Sequence, residues 1–136
     1  MPEEEIPEGN AFGKRVRELR LQRRRSGRRE FSLRQFAVRA GISPTFLCKI
    51  ETGGLAPPIA PKIVRIAELL ECNEDELLAL AGKVSPEVTR IICERPRIYT
   101  DILRAARLMS EEQIRTVRQV VRHMVGKGGA GDRKGG

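Results

Sequence analysis

The sequence predicts an all-α chain, with five short helices around one small core and a further helical segment behind them. Three observations carry this. Apolar residues recur three and four positions apart, and no alternating strand pattern stands out. Capping residues mark helix starts at Ser32, Ser43, Asn73 and Ser110, and glycines mark stops at Gly41, Gly53 and Gly82. With 136 residues, the chain has room for one domain, or a small domain plus an accessory piece.

Taken in order, residues 1–10 hold two prolines and one glycine and read as a flexible arm. The first helix runs from about Ala11 to Arg24, with Phe12, Val16 and Leu19 on one face, and Ser26-Gly27 ends the pattern. In the second, Leu33 to Ala40, Ser32 and Gln35 form a capping box, and Phe31 can staple onto Phe36. Gly41 supplies the left-handed turn, Ser43 caps the third helix, and Pro44 takes its first position. That helix runs to about Glu51 with Leu47 and Ile50 inward. After Pro57-Pro58 a fourth begins near Pro61, with Ile63, Ile66, Ala67 and Leu70 as its buried stripe. Asn73 and Glu76 box the start of a fifth, which Gly82 ends.

Residues 83–125 form a second helical segment. Ser85-Pro86 opens a helix to about Glu94, Arg95-Pro96 breaks it, and another runs from about Tyr99 to Leu108. Ser110 and Gln113 box the last helix, which ends near Val125 and carries Ile114, Val117, Val121 and Met124 on one face. Residues 126–136 hold six glycines and read as a disordered tail.

Composition excludes several functions. Hydrophobic content of 40% argues against a disordered chain, and 4% aromatics against a platform that stacks single-stranded bases. The longest apolar run, Leu77 to Ala81, cannot span a membrane, and the acidic start Met1-Pro2-Glu3-Glu4-Glu5 is unlike a secretory signal. Cys48, Cys72 and Cys93 are too far apart for a zinc site or a disulfide framework and read as reduced thiols. The lone His123 has no partner ligand, and no P-loop, dinucleotide turn or GxSxG is present. The expectation is a protein that is no enzyme, with no catalytic residue, metal or cofactor.

The net charge of +8 is unevenly placed. Residues 1–13 carry four acids and no base, whereas residues 14–34 carry ten bases against two acids. Such a cluster is the footprint of a polyanion partner. The third helix is nearly neutral, with Lys49 set against Glu51.

Two short helices joined by Ala40-Gly41-Ile42-Ser43 make a helix-turn-helix: Gly41 permits the turn, Ala37 allows close approach, and Ile42, Leu47 and Ile50 fill the shared core. The string SLRQFAVRAGISPTFLCKIETG resembles the helix-turn-helix of the lambda-repressor-like, Cro-type regulators of bacteria and phage, also named after xenobiotic-response elements, across residues 11–82. The resemblance implies a cytoplasmic, dimeric regulator, nucleoid-associated or phage-derived, that binds double-stranded DNA. It places base reading at Ser43, Pro44, Thr45, Phe46 and Lys49, with Cys48 at the margin and Phe46 open to a packing role instead. It makes Arg20 and Glu51 a structural ion pair. Two departures stand out. Leu33 replaces the glutamine that often grips a phosphate, and the loop after the third helix lacks charge. The connection from Arg23 to Glu30 is about six residues longer than usual, and backbone contact is therefore assigned to Arg24, Arg25, Arg28 and Arg29, with Arg34 and Gln35.

Ile114, Val117, Val121 and Met124 are the expected dimer interface. The rival reading makes the C-terminal helices a site for a different protein, as in an antitoxin or an adaptor whose DNA binding is autoregulatory.

Overall fold

The computed structural model describes residues 9–126. Among them are eight α-helices: α1 (Gly9–Arg25), α2 (Leu33–Ala40), α3 (Pro44–Glu51), α4 (Ala60–Leu70), α5 (Glu74–Leu80), α6 (Pro86–Glu94), α7 (Pro96–Arg107) and α8 (Glu111–Gly126), with a 3-10 turn at Arg29–Phe31 before α2. Two compact units divide the chain, Met1–Thr89 and Arg90–Gly136, so the first reaches past Gly82. Ser85 is buried at the end of that first unit, and its hydroxyl accepts from the Val88 N–H (3.1 Å) to cap α6.

The first unit has one core. Phe12, Val16 and Leu19 of α1 meet Phe36 and Ala37 of α2, Leu47 and Ile50 of α3, Ile63, Ile66 and Leu70 of α4, and Leu77 and Leu78 of α5. The staple forms as expected, with the Phe31 and Phe36 rings stacked at 5.8 Å. Gly13, not singled out by periodicity, sets the spacing of α1 and α3: a Cβ there would overlap the backbone carbonyl of Ile50.

Capping fixes the remaining ends. Gly41 is left-handed (φ 75°), and the N–H groups of Gly41 and Ile42 donate to the carbonyls of Val38 and Ala37 at 3.0 Å. Glu71 does the same work after α4 at φ 58°, a stop with no glycine to announce it. Of the three capping boxes only Ser110–Gln113 closes in both directions (2.9 and 3.2 Å). At Ser32 the hydroxyl accepts from the Gln35 N–H, but the Ser32 N–H turns back to the Arg29 carbonyl, leaving the Gln35 side chain outside the box.

Three boundaries move. Asn10 and Gly9 already belong to α1, and Gly126 still belongs to α8; the rest of the arm and tail expectations, residues 1–8 and 127–136, lie outside the described residues. α7 starts at Pro96 rather than near Tyr99, because proline suits a first helical position and only Arg95 separates it from α6. Among the described residues 90–126 none is buried.

Candidate nucleic-acid interface

α3 has two distinct rows. Phe46, Leu47, Ile50 and Glu51 face inward, while Thr45, Cys48, Lys49 and Thr52 are exposed at helical spacing on the opposite side. Thr52 extends the row beyond the residues that sequence assigned; its hydroxyl donates back to the Cys48 carbonyl (2.9 Å). Ser43 and Pro44 sit at the N-terminal end, where the Ser43 hydroxyl accepts from the Phe46 N–H (3.0 Å) as the helix cap. Phe46 is half-buried against the core, so its ring packs instead of standing free at the surface. Leu33 is likewise packed on the core, which explains an apolar residue where a phosphate-gripping glutamine is usual.

α3 is held rigidly from behind. Arg20 Nε donates to Glu51 Oε2 (2.7 Å), Nη2 to Oε1 (2.8 Å) and Nη1 to the Phe31 carbonyl (3.1 Å), so one guanidinium joins α1, the end of α3 and the turn before α2. The bidentate, almost fully buried pair fixes geometry, and its desolvation cost limits any net gain in stability. Glu51 is therefore committed to Arg20. This is the pair the resemblance implied, and it leaves Lys49 with no carboxylate partner among the described residues. From the other side Lys62 Nζ donates to the Gly41 carbonyl (3.0 Å) and clasps the turn to α4.

The arginine-rich connection is folded, and its members divide. Arg28 stacks on the buried Phe31 ring at 4.6 Å, and Arg39 and Arg23 lie near the same ring at 5.9 and 6.0 Å. Arg28 also pairs with Glu30 (3.4 Å) and Glu71 (3.6 Å). A backbone N–H holds the Glu30 carboxyl below its usual range, with Arg28 adding to the effect. Arg24, Arg25 and Arg29 are exposed, as are Arg34 and Gln35 on α2. So Arg28 is engaged inside the fold, while the other five point to solvent on or near α1 and α2.

In the second unit Ile114, Val117, Val121 and Met124 share one face of α8 and are all exposed. Val120 and Val125 widen that face, and Ile98, Ile102 and Leu103 on α7 are exposed too. The sequence reading did not single out the α7 residues, although Ile98 and Ile102, four apart, share one side of a helix. His123 is exposed on α8. Among the described residues no helix is long and apolar enough to cross a membrane.

The same segment of the chain matches known proteins in sequence. Residues 11–80 match the helix-turn-helix domain family. Over 97 residues the chain is 32% identical to RghRB of Bacillus subtilis (strain 168), described as an uncharacterized HTH-type transcriptional regulator. The aligned stretch covers 70% of this chain and 66% of that protein, just under two thirds of its length. No solved structure matches. With an all-helical first unit, a glycine-turned α2–α3 pair and a family match over more than half its length, the chain belongs to the helix-turn-helix domain family.

Proposed function

We propose that the protein reads double-stranded DNA in a sequence-specific way through α3 and acts as a repressor, as a homodimer on a palindromic operator. The observation that carries this reading is the exposed row of α3. Its chemistry suits a major groove: Thr45 can hydrogen-bond a base edge or touch a thymine methyl, Lys49 can reach guanine O6 and N7, and Pro44 offers an apolar contact. Arg24, Arg25, Arg29, Arg34 and Gln35 supply backbone contacts, which set affinity and docking without choosing sequence. Repression needs no further surface, because an occupied operator excludes polymerase by bulk.

The second unit supports self-association. Twelve large apolar side chains between Ile91 and Val125 are exposed, an apolar area of the order that a standard interface of about 800 Å² per partner covers. A two-fold dimer would present two copies of α3 to half-sites about one helical turn apart. The same surface also favours the second reading, in which a different protein covers α7 and α8 and DNA binding is autoregulatory.

Selection of genomic fragments with the purified protein, followed by sequencing, tests the proposal. A shared inverted repeat, lost in Lys49→Ala, supports it. Fragments without a common motif, bound equally by Lys49→Ala, would overturn it.

A further inference from the structure

The two ends of α3 are held differently. The far end is fixed by the buried Arg20–Glu51 pair, and the buried apolar side chains, Leu47 and Ile50, lie in the second half of the helix. In the first turn, Ser43, Pro44, Thr45 and Phe46 include no fully buried side chain, yet Pro44 and Thr45 are proposed to meet base edges. The direction in which that turn leaves α2 is set by Gly41 and Ile42, which lie between Ala40 and the Ser43 cap.

The backbone accounts for part of this connection. The N–H groups of Gly41 and Ile42 donate to carbonyls of α2, but among the described residues no backbone N–H reaches the Gly41 carbonyl. Lys62 supplies the donor: from the first turn of α4, its Nζ reaches that oxygen at 3.0 Å. A Cβ at Gly41 would stand 2.7 Å from Nζ, so Gly41 makes room for the ammonium as well as for the left-handed turn at φ 75°. Ile63, Ile66 and Leu70 pack α4 on the core, so the donor is presented from a fixed element. A second cation of α4 points the same way, Arg65 Nε donating to the Arg39 carbonyl at 3.4 Å. Arg65 is shared with Glu68 at 3.5 Å, whereas Lys62 has no carboxylate partner among the described residues. Cations suit this place, because the last carbonyls of α2 carry the negative end of its dipole.

We infer that Lys62 is a positioning residue for DNA reading: its bond to the Gly41 carbonyl fixes the α2–α3 turn and thereby the placement of Pro44 and Thr45. It acts through the turn and touches no nucleotide. With Arg20 holding the end of α3 and Lys62 its entry, the helix is held at two points, and two points set a direction. Base-edge contacts need side chains placed to within about half an ångström, so a freed entry costs discrimination before it costs folding. The bond itself is independent of the DNA reading, while the positioning role rests on that reading.

The test compares the full chain with Lys62→Met, which keeps the stem and loses the donor, and Lys62→Arg, which keeps a charged donor. Without DNA, amide hydrogen exchange of residues 41–46 is followed by mass spectrometry, with α1 as internal reference. Exchange is expected to be about five-fold faster in Lys62→Met, the factor that one net hydrogen bond gives, and slow again in Lys62→Arg. Equal exchange in all three would overturn the clasp. Binding to the duplex recovered by genomic selection, and to the same duplex with its motif scrambled, is then measured across a salt series. Lys62→Met is expected to bind the motif about ten-fold more weakly, as one mismatched base pair would cause, with the scrambled duplex and both log–log slopes unchanged. Lys62→Arg is expected to recover the discrimination. A slope shallower by about one on both duplexes would make Lys62 a phosphate contact and overturn the positioning role, as would undiminished discrimination in Lys62→Met. A selection that yields no shared motif overturns the sequence-specific reading and this role with it, while the exchange rates still decide the clasp.

Discussion

Gly13 shows how much one residue can fix. Inside an exposed helix, alanine in place of glycine adds about 1 kcal/mol of stability. Here the added methyl would overlap the Ile50 carbonyl, and a backbone group cannot swing aside. Forcing α1 from α3 costs about 1–3 kcal/mol as overpacking does, which outweighs the propensity gain. Gly13→Ala is therefore expected to lower the urea midpoint, and a raised midpoint would refute the close approach. The three thiols give a second residue-level prediction. Desolvation pushes the half-buried Cys72 thiol above its usual range, and nearby Arg23 offsets this only in part. Alkylation proceeds through the thiolate, so at a given pH Cys72 reacts more slowly than the exposed Cys48 and Cys93 and catches up only in denaturant. In a Cys93→Ser background, alkylating the native protein is expected to abolish specific DNA binding, since Cys48 lies in the exposed row of α3 that we propose reads DNA. Retained binding with Cys48 fully modified would remove that row from the interface.

At the scale of the element, α3 separates an exposed row, which we propose reads DNA, from a row packed on the core. Lys49→Ala is expected to cost about 1–3 kcal/mol of discrimination between operator and mismatched duplex, with the thermal midpoint nearly unmoved. Phe46→Ala does the reverse, costing about 1–3 kcal/mol of folding stability because its ring is half-buried against the core. Fluorescence titration and thermal melts on both variants separate the two roles; a stability loss in Lys49→Ala with unchanged discrimination would reverse the assignment. These rows also show why sequence went as far as it did. The α2–α3 pair was legible because its signals are local: a cap, a glycine, a proline, and apolar residues at fixed spacing. The Arg20–Glu51 pair, 31 positions apart, was legible only through the family resemblance, since nothing local in the sequence joins the two residues. The stop at Glu71 was invisible for a related reason. A non-glycine in the left-handed region is sustained by surroundings, here Arg23 and Arg28 close to its carboxylate at 3.9 and 3.6 Å, and those lie far off in sequence. The Gly13 contact was equally silent, since a glycine within a helix looks like a weak point until its neighbour is known.

Across the whole molecule the two units are built by opposite rules. In the first, sixteen apolar residues are buried in one core. In the second, none of the described residues is buried, and helices of nine to sixteen residues without a covered face are marginal in water. Its stability must then come from whatever covers it, and that dependence can be measured. A chain ended after Thr89 keeps Ser85 and the entire core, losing α6 beyond its first turn, and is expected to melt cooperatively within a few degrees of the full protein. The same chain is expected to be monomeric at micromolar concentration by sedimentation. It would then bind an operator through single half-sites, with affinity reduced by about 10²–10⁴-fold because the second contact is no longer intramolecular. In the full chain, Val121→Glu places a charge in the middle of the α8 face and is expected to give the same monomer while leaving the first unit's fold intact. A dimer that survives both changes would place self-association in the first unit and leave α7 and α8 for a different protein.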